Sequence, residues 1–186
     1  MMLPKKEKKY ISGNKLSLSH QQNINAMNKF RIGFGYDVHQ LVEGRKMFLG
    51  GIELASDKGI LGHSDADVLI HAICDALLGA ANLRDIGFHF PNTDKRFENA
   101  DSKMLLAEVV TLLKQHNYAI GNIDASLALE QPKINPHIGR MQKTLAEVMQ
   151  IDENDISIKA TTNETLGYVG RKEGVNAYAV ALIYKV

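Results

Sequence analysis

The sequence predicts a mixed α/β fold in a single domain, and three observations support this. Apolar runs with strand-like alternation occur near both ends of the region that begins at Phe30. Apolar residues with helical spacing lie between these runs. The chain has 186 residues, with no internal repeat and no linker-like segment, which suits one ordinary hydrophobic core.

The first elements are a strand at residues 30–39 and a hairpin. Two short apolar runs, 47–49 and 52–54, are joined by Gly50-Gly51, which is typical of a tight hairpin turn. These residues therefore predict three strands in the first third of the domain.

A helix is expected from Ser64 to about Ala81, because Ser64 and Asp67 have the spacing of a capping box. The long polar segment 82–100 follows and is predicted to be a functional loop. The remaining elements follow from their apolar patterns and Pro136: a helix at 101–117, a strand at 123–129, a helix at 136–149, and strands at 156–160 and 175–184.

Composition limits the classes of function. Hydrophobic residues make up 45% of the chain and charged residues 23%, as in soluble globular proteins. A net charge of +1 gives no indication of a nucleic-acid or membrane partner. The single cysteine, Cys74, is consistent with a reducing compartment, and no apolar run is long enough to span a membrane. We therefore expect a cytoplasmic protein.

Residues 1–28 differ from the rest and are expected to be a disordered N-terminal extension, which leaves a domain at 29–186. A basic run is followed by a stretch rich in Ser, Asn and Gln, without the apolar core of a secretory signal. An upstream start codon, with Met27 as the true start, is an equal alternative. A transit-peptide remnant, which would indicate a plastid-type organelle, is less favoured because the segment is not clearly amphipathic or Arg-rich.

Three side chains form a candidate metal-ligand set. Asp37 and His39 alternate on the first strand and so project from the same face, and His71 lies in the second turn of the expected helix. Two imidazoles and one carboxylate would leave a tetrahedral ion one open position, as in catalytic zinc sites. Ordinary surface or hydrogen-bonded histidines are the alternative. Asp67 and Asp75 flank His71 by four residues and either orient it or form surface pairs.

Two further motifs have competing interpretations. Gly33 and Gly35 do not form a dinucleotide-binding fingerprint, because no helix opens after them. The predicted strand end at Lys159–Glu164 supplies hydroxyls, an amide and an acid, which suit phosphates and a hard cation such as Mg²⁺. A Thr-rich turn that caps itself is the other interpretation.

Taken together, the motifs resemble one known family. They are Arg31–His39, Gly62–Val68, Asp75–Ala81, Asp85–Gly87, Phe90–Asp94, Pro132-Lys133, Pro136–Ile138, Lys159–Glu164, Leu166–Tyr168 and Gly170–Gly174. In this order they resemble the 2-C-methyl-D-erythritol 2,4-cyclodiphosphate synthases, from about Phe30 to the C-terminus.

The resemblance implies an enzyme of the non-mevalonate isoprenoid pathway. Its reaction would convert 4-diphosphocytidyl-2-C-methyl-D-erythritol 2-phosphate to the 2,4-cyclodiphosphate and release CMP. The implied fold is a single domain with a mixed four-stranded sheet covered by helices on one side. The implied assembly is a homotrimer with active sites at the subunit interfaces.

The resemblance also implies roles for individual residues. Asp37, His39 and His71 would bind one Zn²⁺ per subunit, and Glu164 would bind Mg²⁺ or Mn²⁺. His63 and Thr162 would stabilise the transition state. The implied substrate-binding residues are Asp37, His39, His63, Ser64, Asp85, Ile86, Gly87, Phe90, Pro91, Asn92, Thr93, Asp94, Pro132, Lys133, Thr161, Thr162, Asn163, Glu164, Tyr168 and Arg171, of which Phe90 to Asp94 match a flexible lid.

Three residues depart from the family pattern. Ala66 occupies a position where glycine is common, and Asn163 one where threonine is frequent. Tyr168 replaces a frequent phenylalanine and, with Arg171, matches a trimer-axis cavity associated with isoprenoid phosphates, which the tyrosine hydroxyl would make more polar.

Two other classes of function remain as alternatives to the synthase. In a zinc-dependent hydrolase of phosphate esters or anhydrides, the open zinc position would activate water. A trimeric binder of isoprenoid phosphates would keep the fold without turnover. The metal- and phosphate-binding residues are all present, which disfavours the second alternative.

Overall fold

The computed structural model describes residues 30–91, 93–94, 97 and 100–186. The expected extension at 1–28 and the candidate residue Asn92 lie outside these ranges. The elements in chain order are β1 Phe30–Glu43, β2 Met47–Leu49, β3 Ile52–Leu54, β4 Lys58–Ile60, α1 Val68–Ala81, α2 Ile86–His89, α3 Ser102–Gln115, β5 Tyr118–Ala128, α4 Ile138–Met149, β6 Ile156–Thr161, α5 Gly167–Gly170 and β7 Gly174–Lys185. Short 3₁₀ turns at Asn135–His137 and Glu153–Asp155 precede α4 and β6.

The main sheet has five strands in the order β4-β1-β7-β5-β6. Only β5 and β6 are parallel, so the sheet is mixed, as predicted. The expected number of four strands is wrong, because the three residues of β4 pair with the end of β1 at the sheet edge. The predicted hairpin of β2 and β3 forms a separate two-stranded sheet.

The long helices cover one face of the main sheet. On β7, the alternate residues Val175, Ala177, Ala179, Ala181 and Ile183 are buried and belong to the core together with most of α1. The residues between them include Tyr178 and Val180, which remain about two-fifths exposed, at 39% and 41%. The other face of the sheet is therefore open in the single chain.

Two glycines bring α1 against β1. A Cβ atom on Gly33 would lie 1.9 Å from the carbonyl oxygen of Ala76, and one on Gly35 would lie 1.9 Å from that of Ala72. No side chain fits at these distances, so the Gly-x-Gly pattern serves close helix–strand packing. As a result, His71, next to Ala72 in the chain, lies beside Asp37 and His39 of β1.

Helix α1 begins later than the sequence predicts. Its N-cap is Asp67, whose side chain accepts a hydrogen bond from the Ile70 N–H, and Ser64 instead accepts from the Ala66 N–H. The predicted Ser64–Asp67 capping box is therefore wrong. Ala66 has a φ of 57°, in the left-handed region that favours glycine.

Asp67 also joins α1 to the hairpin. Its buried carboxylate accepts hydrogen bonds from the backbone N–H groups of Gly50 at 3.0 Å and Gly51 at 2.7 Å. Both glycines have positive φ, 60° and 78°, as a tight hairpin turn requires. The segment 82–100, predicted as a loop, contains the short helix α2. No helix in the described parts of the chain has the length and apolar character needed to cross a membrane.

Candidate active site

Asp37, His39 and His71 converge as the sequence predicts. The Oδ2 atom of Asp37 lies 3.0 Å from the Nε2 atom of His39 and 3.0 Å from the Nδ1 atom of His71. The two imidazole nitrogens are 3.2 Å apart. Among the described residues, these three form the one group of His, Cys, Asp or Glu side chains arranged to hold a metal ion.

The spacing of the three atoms fits a metal ion. A tetrahedral ion with bonds of about 2.1 Å holds its ligand atoms roughly 3.4 Å apart. The three atoms need to move by only a few tenths of an ångström to reach that spacing. Two imidazole nitrogens and one carboxylate oxygen are also the donor set of many catalytic zinc sites, where a fourth position is open.

The electrostatics of the three groups are coupled. Burial acts to raise the pKa of Asp37, but hydrogen bonds from His39 and His71 outweigh it and lower the pKa to about 2. Burial acts to lower the pKa of His39, but the Asp37 carboxylate and the Leu61 carbonyl outweigh it, so the pKa is raised. Without a metal, the Asp37 carboxylate therefore favours the protonated form of His39.

Hydrogen bonds behind the ligands fix the two imidazole rings. The Nδ1 atom of His39 donates to the Leu61 carbonyl oxygen at 2.8 Å, which leaves Nε2 to face the candidate metal position. The Nε2 atom of His71 lies 3.0 Å from the Ser102 hydroxyl and 3.3 Å from the Ser64 hydroxyl. Each ring therefore turns one nitrogen toward the triad and the other toward the protein.

The predicted carboxylate partners of His71 are not its hydrogen-bond partners. Asp67 caps α1 and holds the hairpin, and Asp75 accepts a hydrogen bond from the Ile86 N–H at 2.7 Å. Burial raises the pKa of Asp75, whose carboxyl lines the cavity near the triad. The hydrogen-bond partner of His71 is instead the Ser102 hydroxyl, which the sequence did not reveal.

A cavity of about 280 Å³ opens beside the triad. Its lining combines the metal-ligand residues with the predicted Ser64 and His63 and with the aromatic rings of Phe90 and Phe97, which meet edge to face at 5.3 Å. Ile86 and Gly87 of α2 also line it, whereas the Asp85 side chain caps α2 through the Phe88 N–H. Pro91, Thr93 and Asp94 follow in the chain, and the Asp94 N–H donates to the Pro91 carbonyl.

The second group of predicted residues lies at the same end of the sheet, three strands away. Thr161 pairs with Ala128, Ala128 with Asn176, and Asn176 with Val38, so the end of β6 shares a row with the residue of β1 between the two metal ligands. Three strand spacings amount to about 14 Å. Thr161 and the turn after it are not among the described residues that line the triad cavity.

The turn after β6 has an unusual backbone. Glu164 and Thr165 have positive φ values of 50° and 65°, and the latter is rare for a β-branched residue. The Thr162 hydroxyl donates to the Glu164 carboxylate at 2.8 Å. The Glu130 carboxylate accepts from the N–H groups of Asn163 at 2.9 Å and Thr165 at 3.4 Å. Glu130 therefore holds a strained turn, a role its position in the sequence did not reveal.

Two further predicted groups lie outside the triad cavity. Pro132 and Lys133 line a separate cavity of about 590 Å³ together with Lys58 and Lys172, so this cavity carries three lysines. Arg171 forms an ion pair with Glu173 at 2.9 Å, and the Tyr168 hydroxyl donates to Asn176 at 2.8 Å. The single chain therefore brings together the metal-ligand half of the predicted site and leaves the nucleotide half apart.

Comparison with known proteins identifies relatives along most of the chain. The model of the YgbB family matches residues 30–184. A protein of Cytophaga hutchinsonii named 2-C-methyl-D-erythritol 2,4-cyclodiphosphate synthase is 69% identical over 157 residues, which cover 84% of this chain and 99% of the relative.

Solved structures agree with this similarity. The bifunctional IspDF of Campylobacter jejuni superposes with a TM-score of 0.82 and 37% identity over 85% of this chain, which spans 43% of that longer protein. A CDP complex of IspF from Plasmodium falciparum superposes with a TM-score of 0.75 and 35% identity over 85% of this chain and 97% of that one.

Proposed function

The chain belongs to the YgbB family, whose members include 2-C-methyl-D-erythritol 2,4-cyclodiphosphate synthases, and we propose that it catalyses this cyclisation. In the proposed reaction, an oxygen of the substrate's 2-phosphate attacks the β-phosphorus of 4-diphosphocytidyl-2-C-methyl-D-erythritol 2-phosphate. The bond between the β-phosphorus and the bridging oxygen breaks, CMP leaves with that oxygen, and the ring of the 2,4-cyclodiphosphate closes. The enzyme acts in isoprenoid biosynthesis.

The observation that carries this proposal is the triad of Asp37, His39 and His71, which converges beside a cavity. An intramolecular reaction needs no protein nucleophile, because the substrate supplies its own. Phosphoryl transfer then depends mainly on positioning and on compensation of negative charge. We propose that the triad holds one Zn²⁺, which when bound acts as a Lewis acid toward a phosphate oxygen.

The proposed roles of the other residues follow from charge and position. His63 lines the triad cavity and would donate to phosphate oxygens as negative charge shifts in the transition state. Thr162 would act in the same way from the turn after β6, and the Glu164 carboxylate beside it would hold Mg²⁺ or Mn²⁺. Ile86 and Gly87 would contact the sugar, and the segment from Phe90 to Asp94 would cover it.

The nucleotide end of the substrate would bind near Pro132 and Lys133. The lysines of that cavity, Lys58, Lys133 and Lys172, suit an anionic ligand. The solved Plasmodium falciparum relative is a CDP complex, which supports a cytidine nucleotide as the ligand class.

We propose a homotrimer in which neighbouring subunits share each active site. Within one chain, the triad and the Thr161–Glu164 segment occupy the same end of the sheet but lie about three strands apart. The open sheet face exposes large apolar side chains, including Phe30 at 59%, Ile32 at 71% and Phe34 at 63%. Patches of this kind mark interfaces, and packing of chains through this face would bring the two halves together.

A zinc-dependent hydrolase is the second candidate, but no specific observation favours it. The curated relative at 69% identity is a synthase, and the family match covers the chain to residue 184. In a hydrolase reaction, water rather than the 2-phosphate would attack the β-phosphorus, and the product would be a linear phosphate.

The test is to incubate zinc-loaded protein and Mg²⁺ with the cytidine substrate and to follow CMP by chromatography. The proposal expects CMP and cyclic diphosphate in equal amounts from the wild type. A His71→Ala variant should lose most of the activity, and a His116→Ala variant, altered at an exposed residue just after α3, should keep it. Full activity of the His71→Ala protein would contradict the assignment of the site.

A further inference from the structure

A chain of hydrogen bonds runs behind the candidate metal site. The Nδ1 atom of His71 faces Asp37 and His39, whereas its Nε2 atom lies 3.0 Å from the Ser102 hydroxyl oxygen. The Ser102 hydroxyl in turn donates to the Oδ1 atom of Asp65. Ser102 is fully buried and Asp65 partly buried, so this chain is shielded from solvent more than a surface contact would be.

Asp65 determines where the protons in this chain lie. Its carboxylate only accepts, and it takes both the Ser102 hydroxyl proton and, at 3.1 Å, the Ser102 backbone N–H. The Ser102 oxygen therefore has only lone pairs to offer to His71. Ser102 therefore favours a proton on the Nε2 atom of His71, which leaves on Nδ1 the lone pair that a metal ion requires.

The opposite tautomer competes with the one that a metal ion requires. If Nε2 lacked its proton, it could accept from the Ser64 hydroxyl at 3.3 Å, but its lone pair would then face a lone pair of Ser102. The Nδ1 atom would carry a proton that the Asp37 carboxylate at 3.0 Å can accept, and a metal ion would have to displace that proton. Because Nε2 donates instead, the Ser64 hydroxyl keeps its own proton for a ligand in the cavity that it lines.

The chain of hydrogen bonds from His71 through Ser102 to Asp65 is anchored at both ends. The Asp65 N–H donates to the Ala100 carbonyl at 3.0 Å, and the Asp67 N–H donates to the Asp65 carboxylate at 3.3 Å. Ser102 is the first residue of α3, and His71 lies on α1. Asp65 and Ser102 therefore hold the loop before α1 against the start of α3.

We propose that Asp65 and Ser102 are positioning residues of the metal site, which fix the tautomer and the ring orientation of His71. The proposal rests on the proposed metal site but not on the identity of the substrate. A purely structural clamp between the loop and α3 would predict lower stability in the variants without any change at His71.

The test compares Ser102→Ala, Asp65→Asn and the double variant with the wild type. Asp101→Asn is the matched control, because Asp101 caps the same helix through the Lys103 N–H but does not contact His71. Zinc affinity is measured by competition with a chromogenic chelator. The tautomer of His71 is read in the metal-free protein from the side-chain nitrogen resonances of ¹⁵N-histidine, assigned with a His71→Gln variant.

We expect each single variant to lower zinc affinity about 10- to 100-fold, the range seen when partners of metal ligands are lost. The double variant should lose no more than the larger single loss, because both residues act through one chain. The fraction of His71 with its proton on Nε2 should fall in both variants and stay at the wild-type value in Asp101→Asn.

Unchanged zinc affinity and an unchanged His71 tautomer in Ser102→Ala, with lower stability alone, would overturn the proposal. A wild-type protein that binds zinc but releases no CMP would refute the proposed function and leave this inference standing. The two failures are therefore distinguishable.

Discussion

At the scale of single residues, the metal site depends on two glycines that do not touch it. Gly33 and Gly35 allow the backbone of α1 to lie directly on β1, and this contact sets the distance between His71 and the pair on the strand. The missing side chains of Gly33 and Gly35 therefore position the metal ligands as much as the ligands' own spacing in the sequence does.

The Gly35→Ala variant tests this dependence. The new methyl group would lie 1.9 Å from the Ala72 carbonyl, so α1 must move, and we expect a loss of about 2–3 kcal/mol in the free energy of unfolding. Zinc affinity should fall at least about tenfold, because His71 moves with the helix. Denaturant unfolding in the presence of a chelator and chelator competition measure the two effects.

The matched control is Gly79→Ala, at an exposed glycine of α1 where a new methyl group meets no atom within 4 Å. There the change should raise stability by about 0.5–1 kcal/mol, because glycine is a poor helix former. Wild-type stability of Gly35→Ala would refute the explanation of the glycines.

Protons compete with the metal at the triad, so zinc affinity depends on pH. Burial acts to lower the pKa of His39, but the Asp37 carboxylate raises it above its ordinary value. The pKa of Asp37 itself is lowered to about 2. Below the raised pKa of His39, a proton must leave its imidazole before the metal binds, and zinc affinity should fall by about tenfold per pH unit. Titrations from pH 5 to 8 measure this, and an affinity independent of pH would contradict it.

The sequence predicts the triad because alternation on a strand and position on a helix are local properties. The shared direction of Asp37 and His39 follows from the two-residue repeat of side chains along a strand, and the position of His71 follows from its place in α1. Ser102 and Asp65 were missed because their contacts join segments 37 residues apart, with no spacing to signal them. Helical spacing made Asp67 and Asp75 candidate partners of His71, but both carboxylates accept hydrogen bonds from backbone N–H groups instead.

At the scale of elements, the turn after β6 has a strained backbone. Two consecutive residues with side chains, Glu164 and Thr165, adopt left-handed backbone angles, each at a cost of about 1 kcal/mol or more. The Glu130 carboxylate compensates by accepting two N–H groups of the turn. In the proposed active site, Glu130 would keep Thr162 and Glu164 directed at the substrate.

A Glu130→Ala variant should separate turnover from metal binding. We expect kcat to fall about 10- to 100-fold, because small displacements of positioning groups are costly. Zinc affinity should stay at the wild-type value, since the triad lies three strands away. Glu147→Ala, at an exposed acid of α4, is the control and should have wild-type kcat. A Glu130→Ala enzyme with unchanged kcat would contradict the role.

Sequence patterns located the long elements and the hairpin well but missed the short elements β4 and α2. The 14 residues of α1 carry a strong apolar pattern, but the three residues of β4 offer none, so the fifth strand was not predicted. The start of α1 was placed at Ser64 because two side chains compete to cap it. Asp67 prevails because its carboxylate also binds the hairpin.

At the scale of the whole molecule, β1 presents its large apolar residues outward. Ile32 and Phe34 are 71% and 63% exposed, whereas Gly33 and Gly35, which alternate with them, face the core. Alternation alone would assign the large residues to the core of the chain. The arrangement has a physical reason in the proposed trimer, where the open face becomes a second core between subunits.

A Phe34→Glu variant tests the trimer. Light scattering should give three times the chain mass of 20.6 kDa for the wild type and one chain mass for the variant. Cyclisation should be lost, while the triad, which one chain completes, should still bind zinc. Met104→Glu is the control, because Met104 is 64% exposed on α3. A monomeric wild-type protein that turns over would contradict shared active sites.

The central claim is that the substrate's own phosphate, rather than water, attacks the β-phosphorus. The most direct measurement is turnover of the cytidine substrate in water enriched in ¹⁸O, with ³¹P NMR and mass spectrometry of the products. Intramolecular cyclisation predicts a cyclic diphosphate and CMP, both without ¹⁸O from the solvent. A linear phosphate product that carries one solvent ¹⁸O would show hydrolysis and contradict the account.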